Sequence, residues 1–159
     1  MKKSGFFAGL MALAAAVSAL LGGCSPQEEP VLPEDVTSIS CVLAAMDRRQ
    51  SFSFRLEKEE KAVLLSASCM KEEQEQNLNK VPVSTEEFES LLLLLQEQDG
   101  LSLVTQPPRK DSLPEVSDRD TRTLSIITRD GRFLSAEAPS DLFLTMESFF
   151  RQLVSEYQP

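Results

Sequence analysis

Histidine and tryptophan are absent from the 159 residues, tyrosine occurs once and cysteine three times. Without His the chain lacks the commonest general base and the commonest metal ligand, and no Ser-His or Cys-His pair can form. Cationic side chains are also scarce. Sixteen Lys and Arg face 25 Asp and Glu, for a net charge of −9, which argues against nucleic acid as a partner because phosphate contacts need clustered Lys and Arg. No G-x-S-x-G, Walker loop or G-x-G-x-x-G occurs, so the expectation is a protein without a cofactor. Cys41 and Cys69 lie far apart with no third ligand nearby, which fits no zinc site. Asp118-Arg119-Asp120 lacks the rest of a calcium loop, and no two acids are placed across a cleft by the pattern. What is present is a 42% apolar fraction, too high for a disordered chain, in a length that suits one domain.

The first 24 residues follow a different logic from the rest. Lys2 and Lys3 precede an apolar, Ala-rich run over residues 6–21, shorter than the ~20 residues that a membrane-spanning helix needs. This is the pattern of a signal peptide. It ends in Leu21-Gly22-Gly23-Cys24, which resembles the lipobox of bacterial lipoproteins. The resemblance implies cleavage before Cys24, with residues 1–23 removed, and a diacylglycerol joined to the Cys24 thiol, the best nucleophile available for alkylation. It places the protein on the extracytoplasmic side of the cell membrane, held by lipid. Removing residues 1–23 takes away two lysines and no acids, deepening the net charge from −9 to −11. An anionic membrane repels such a body, so attachment is expected from the acyl chains alone. Residues 24–35 read as the lipidated N-terminus and a flexible tether rich in Pro and Glu, and eleven residues of it reach at most about 35–40 Å.

From residue 36 to 159 the pattern is that of a single globular domain. Ile39, Cys41 and Leu43 alternate with Ser40 and Val42, which favours a strand over a short helix ending in Ala44, Ala45 and Met46. Phe52, Phe54 and Leu56 alternate with Ser53, Arg55 and Glu57, and Val63, Leu65, Ala67 and Cys69 with Leu64, Ser66, Ser68 and Met70. Short charged connections make these a three-strand antiparallel meander. Residues 71–80 are polar and acidic and read as a loop. Ser84 with Glu87, flanked by Val83 and Phe88, starts a helix that Gly100 ends. Residues 105–120 form a second loop, and residues 122–129 a strand. Asp130-Gly131 then predicts a two-residue type I′ hairpin pairing Ile127 with Leu134. A final helix with Ser140 as N-cap carries Leu142, Phe143, Met146, Phe149, Phe150, Leu153, Val154 and Tyr157 within one arc. The fold class is therefore α+β: an antiparallel sheet of about five strands in the order βββ-α-ββ-α, with both helices packed on one face. Ser51 to Phe54, the Leu-rich helix and the Asp-Gly hairpin before a terminal helix give the chain a general likeness to small bacterial lipoproteins. That likeness carries no activity with it.

Cys41 and Cys69 fall on inward faces, two strands apart in a meander. A disulfide would need them closer than the ~9–10 Å between alternate strands, unless strand order differs. With helices on one face, the other is open. It is expected to show Ser38, Ser40, Ser51, Ser53, Ser66, Ser68 and Ser125 with Val42, Leu64, Met70, Ile127 and Leu134, and Arg55 nearby. Short hydroxylated side chains with scattered apolar ones suit the docking of a protein or glycan, although an ordinary solvated sheet face has the same composition. The candidate partner surface is Ser40, Ser53, Arg55, Leu64, Ser66, Ser68, Met70, Ser125 and Ile127. The sequence thus points to a membrane-tethered, non-enzymatic binding or interaction module at the cell envelope. The alternatives are an accessory subunit of an envelope complex and a hydrolase acting on cell-wall material.

Overall fold

The computed structural model describes residues 30–71, 74–106 and 120–157. The expected signal peptide, Cys24 and the Asp118-Arg119 pair lie outside the described residues. Strands β1 (Val36–Ala44), β2 (Phe52–Lys58), β3 (Val63–Lys71) and β4 (Gln74–Val83) come first, followed by helices α1 (Thr85–Glu97) and α2 (Gly100–Thr105). Strands β5 (Thr121–Thr128) and β6 (Phe133–Glu137) and helix α3 (Ser140–Glu156) complete the order. The class is α+β, and the described residues form six strands and three helices where the sequence predicts about five and two. All neighbours pair antiparallel in the order β4-β3-β2-β1-β5-β6, so the first strand lies inside the sheet.

The extra strand is β4, which falls largely within the residues expected to form a loop. Its alternation is hidden by a bulge. Leu65 faces Val81 and Ala67 faces Leu78, so Asn79 and Lys80 together oppose Ser66. Lys80 adopts a left-handed φ of 52°, and its backbone N–H donates to Ser66 Oγ at 3.3 Å. The one-residue insertion switches the inward set from Gln76 and Leu78 to Val81 and Val83, which erases a simple period of two. Lys80 and Pro82 also suit an edge strand, because charge and a missing N–H discourage further pairing.

The β5–β6 turn is one residue longer than expected. Thr128 N–H donates to Arg132 O at 3.0 Å and Gly131 N–H to Thr128 O at 2.9 Å, with Gly131 at φ 84°. This is a three-residue loop closed by a left-handed glycine. Asp130 holds it, accepting from the Thr128 hydroxyl and from Arg132 Nε at 2.9 Å. Ile127 therefore faces Phe133, and Ile126 faces Leu134. The shift by one swaps the faces of β6. Leu134, expected on the open face, packs against the core, and Phe133 takes its place outside.

Inward residues of β1, β2, β3 and β5 form one buried cluster with residues of all three helices. Phe54 stacks on Phe52 at 4.8 Å and on Phe150 at 5.3 Å between ring centroids, while Phe52 also meets Phe143 at 5.7 Å. Of the arc expected on the last helix, Phe149 and Tyr157 are only partly buried. Ser84 caps α1 by accepting from Glu86 N–H at 3.2 Å. The reciprocal bond expected from Glu87 is replaced: Ser84 N–H donates to the Tyr157 hydroxyl of α3 at 3.3 Å. Asp99, in left-handed conformation, rather than Gly100, breaks the chain between α1 and α2. A Cβ on Gly100 would meet Leu95 Cδ2 at 2.8 Å, so the glycine serves close approach. The N-cap of α3 is Pro139, one residue before the expected Ser140, whose hydroxyl accepts from Arg122 at 2.7 Å.

The ordered domain begins earlier than residue 36. Val31 is buried in the core, residues 33–35 make a single 3-10 turn, and Arg129 N–H donates to Asp35 O at 2.7 Å. The last residues of the expected tether are thus part of the domain.

Candidate functional site

The side chains opposite the core line up in rows across the sheet. Pairing places Ser66, Arg55, Ser40, Ser125 and Ser135 in one row. A second holds Asn77, Ser68, Ser53, Val42, Thr123 and Glu137, and a third Pro82, Leu64, Glu57, Ser38, Ile127 and Phe133. Alternation is the cause, since each inward apolar residue is followed by an outward one.

At the β2–β3–β4 side of this face lies a groove of about 460 Å³ lined by Ser53, Arg55, Glu57, Ser66, Ser68, Asn77, Asn79 and Lys80, with Ala67 and Leu78 at its floor. The bulge opens it, because the kink at Asn79 and Lys80 bends β4 away from a regular ladder. Lys80 Nζ lies 3.3 Å from Glu59 and 3.9 Å from Glu57, with Lys80 and Glu59 well exposed and Glu57 half-buried, so the ion pairs contribute little to stability and mainly orient the ammonium. Arg55 is exposed in mid-groove opposite Ser66. The lining offers hydroxyls, side-chain amides, two cations and one carboxylate, Glu57. It can donate and accept hydrogen bonds along an extended polar ligand.

Four of the predicted surface residues, Ser53, Arg55, Ser66 and Ser68, come together in this groove. Leu64, Met70 and Ile127 sit half-buried elsewhere on the same face. Ser40 is half-buried, its hydroxyl donating to Ser125 O at 3.4 Å. Ser125 corrects the expectation of an exposed side chain. It is buried, and its hydroxyl shares a 3.0 Å hydrogen bond with Ser135, which the β6 register brings opposite it. Ser38 is likewise buried, and Ser51 leaves the face altogether, closing the β1–β2 connection through bonds to Ala45 N and O. Asn77, Asn79 and Lys80 were illegible as site residues because β4 did not read as a strand. The alternation of Val81 and Val83 was the available signal.

A second hollow of about 260 Å³ lies between β3, β4 and α3, lined by Cys69, Gln76, Arg151, Val154 and Ser155. Arg151 lies over the Phe52 ring at 5.3 Å and pairs with Glu147 at 2.7 Å. No disulfide joins Cys41 and Cys69, whose strands are separated by β2. Burial first, and Glu147 second, push the Cys41 thiol up to about 12, so Cys41 is a small buried apolar group and no nucleophile. Comparison of the chain with protein-family models, with curated proteins and with solved structures gave no match.

Proposed function

We propose that the protein is an extracytoplasmic lipoprotein, anchored through acylated Cys24, whose domain works as a non-enzymatic binding module at the cell envelope. In this reading the helices occupy one side of the sheet and leave the other to a partner, a glycan or a polar protein segment. The observation that carries it is the groove, which gathers Ser53, Arg55, Ser66 and Ser68 beside Asn77, Asn79 and Lys80. Hydroxyls and amides are the groups that pair with sugar hydroxyls or with an extended peptide, and the Arg55 guanidinium adds a fixed fork for a carboxylate or phosphate. One lining carboxylate favours binding over sugar hydrolysis, which uses two across the scissile bond.

The test is Arg55→Glu with Ser68→Glu. Both side chains are exposed, so melting should change by no more than about 0.5–1 kcal/mol. Retention on insoluble cell-wall glycan and cross-linking to membrane neighbours are measured with the acylated protein. Loss of either with melting preserved supports the groove. Full retention of both removes this face as the binding surface. Cys24→Ala, read by fractionation, tests the anchor separately: the protein should leave the membrane fraction or remain unprocessed.

A further inference from the structure

We infer that the end of the domain carrying Leu32 and Phe133 faces the lipid bilayer and seats these two side chains in the headgroup layer. The inference rests on the proposed acylation of Cys24. Val31 is fixed in the core, so the chain from Cys24 to Val31 spans at most about 25 Å. Strand β1, nine residues from Val36 to Ala44, is about 30 Å long. The opposite end of the sheet, with the β1–β2 turn, therefore lies beyond the reach of the tether when it points at the membrane. The near end is formed by residues joined to one another. Leu32 O accepts from Asp35 N–H at 3.0 Å, Asp35 O accepts from Arg129 N–H at 2.7 Å, and the Arg129 guanidinium donates to Glu34 O at 3.0 Å. Phe133 stands across from Ile127 beside the same turn.

Two of the large exposed apolar side chains sit here, Phe133 at 63% and Leu32 at 49% exposure. Aromatic and aliphatic groups next to polar ones partition into the interface of a bilayer. The surrounding charges are mixed: Arg129 and Arg132 stand beside Glu34, Asp35 and Asp130, and Arg132 Nε is 2.9 Å from Asp130. The contact is thus apolar rather than electrostatic, and salt, which screens the repulsion between the acidic domain and an anionic bilayer, should not weaken it.

The chain has no Trp, so one introduced Trp is an unambiguous probe. Full-length Phe133→Trp, Leu32→Trp and Met46→Trp proteins are expressed with their own leader and extracted from membranes. They are reconstituted into phosphatidylethanolamine–phosphatidylglycerol vesicles with brominated acyl chains. Met46, 74% exposed in the β1–β2 turn, marks the opposite end. The expected result is at least twofold quenching and a blue shift at position 133 or 32, not weakened in high salt, with Met46→Trp unquenched. Proteins that float with the vesicles but show no quenching at positions 32 and 133, or more at 46, overturn the orientation alone. Proteins that do not float with the vesicles overturn the acylation and the orientation together.

Discussion

Phe54 is wholly buried and touches two other rings, on Phe52 and Phe150. Truncating such a residue costs about 3–5 kcal/mol, comparable to the stability of a small domain. Phe54→Ala should largely unfold the protein in a thermal melt. Phe149→Ala should cost distinctly less, because that ring is half-exposed and meets Phe150 edge-on at 6.0 Å. The period of two in β2 made Phe54 legible. The 3.6-residue period put Phe149 at the margin of its arc, where sequence alone does not separate core from rim. Cys41 gives a second check. With its thiol pushed up to about 12 by burial and Glu147, it should resist alkylation at pH 8 in the native state and react once the chain is unfolded. Mass spectrometry of its peptide reads the outcome. Rapid native labelling would mean that β1 opens or that its face is misassigned.

The three-residue hairpin loop depends on a left-handed glycine with no atom within 4 Å of where its Cβ would stand. Gly131→Ala therefore meets no clash and should cost only the conformational penalty, roughly 1–2 kcal/mol, read by urea denaturation. The turn itself was legible from Asp-Gly, but its length was not. Asp130 binds Thr128 and Arg132, and Arg129 is drawn to residues 34 and 35, contacts that no local pattern reveals. β4 failed to read as a strand for the related reason that a bulge broke its period. Both helices with capping signals were legible as helices, but their caps were not: α3 is capped at Pro139 rather than Ser140, and Tyr157 supplies the cap partner of α1 from a distant element. Helix ends also set a pH dependence. Partial burial first, then Glu156 and Glu86, hold the Glu87 carboxyl above its usual 4.5. The folded chain binds that proton more tightly than the unfolded one, so this group favours the fold at low pH. Its contribution falls as pH rises from about the usual value through the raised one. Glu156→Gln removes a like charge near Glu87 and a negative charge at a helix C-terminus. It should stabilise by on the order of a few tenths of a kcal/mol at pH 7. At low pH, once Glu87 has taken up its proton, the gain should vanish, as paired urea titrations would show.

Across the whole molecule, fold class was legible because alternation and amphipathic arcs are local, whereas strand order was not. Nothing in residues 36–44 announces that they pair on both sides, with β2 and with a strand beginning at Thr121. That placement has a consequence for biogenesis. A chain made from its N-terminus can close the β1–β4 meander early, through short connections. The other side of β1, with its N–H and C=O groups along nine residues, then waits for β5. Long-range pairing of this kind is slow, and an open strand edge invites other chains. A chain released before Thr121 lacks both the pairing partner of β1 and the rings of α3 that cover Phe52 and Phe54, so it should self-associate, and sedimentation of that fragment would show it. The segment from Thr121 onward is thus the molecule's safeguard against aggregation as well as a source of its core.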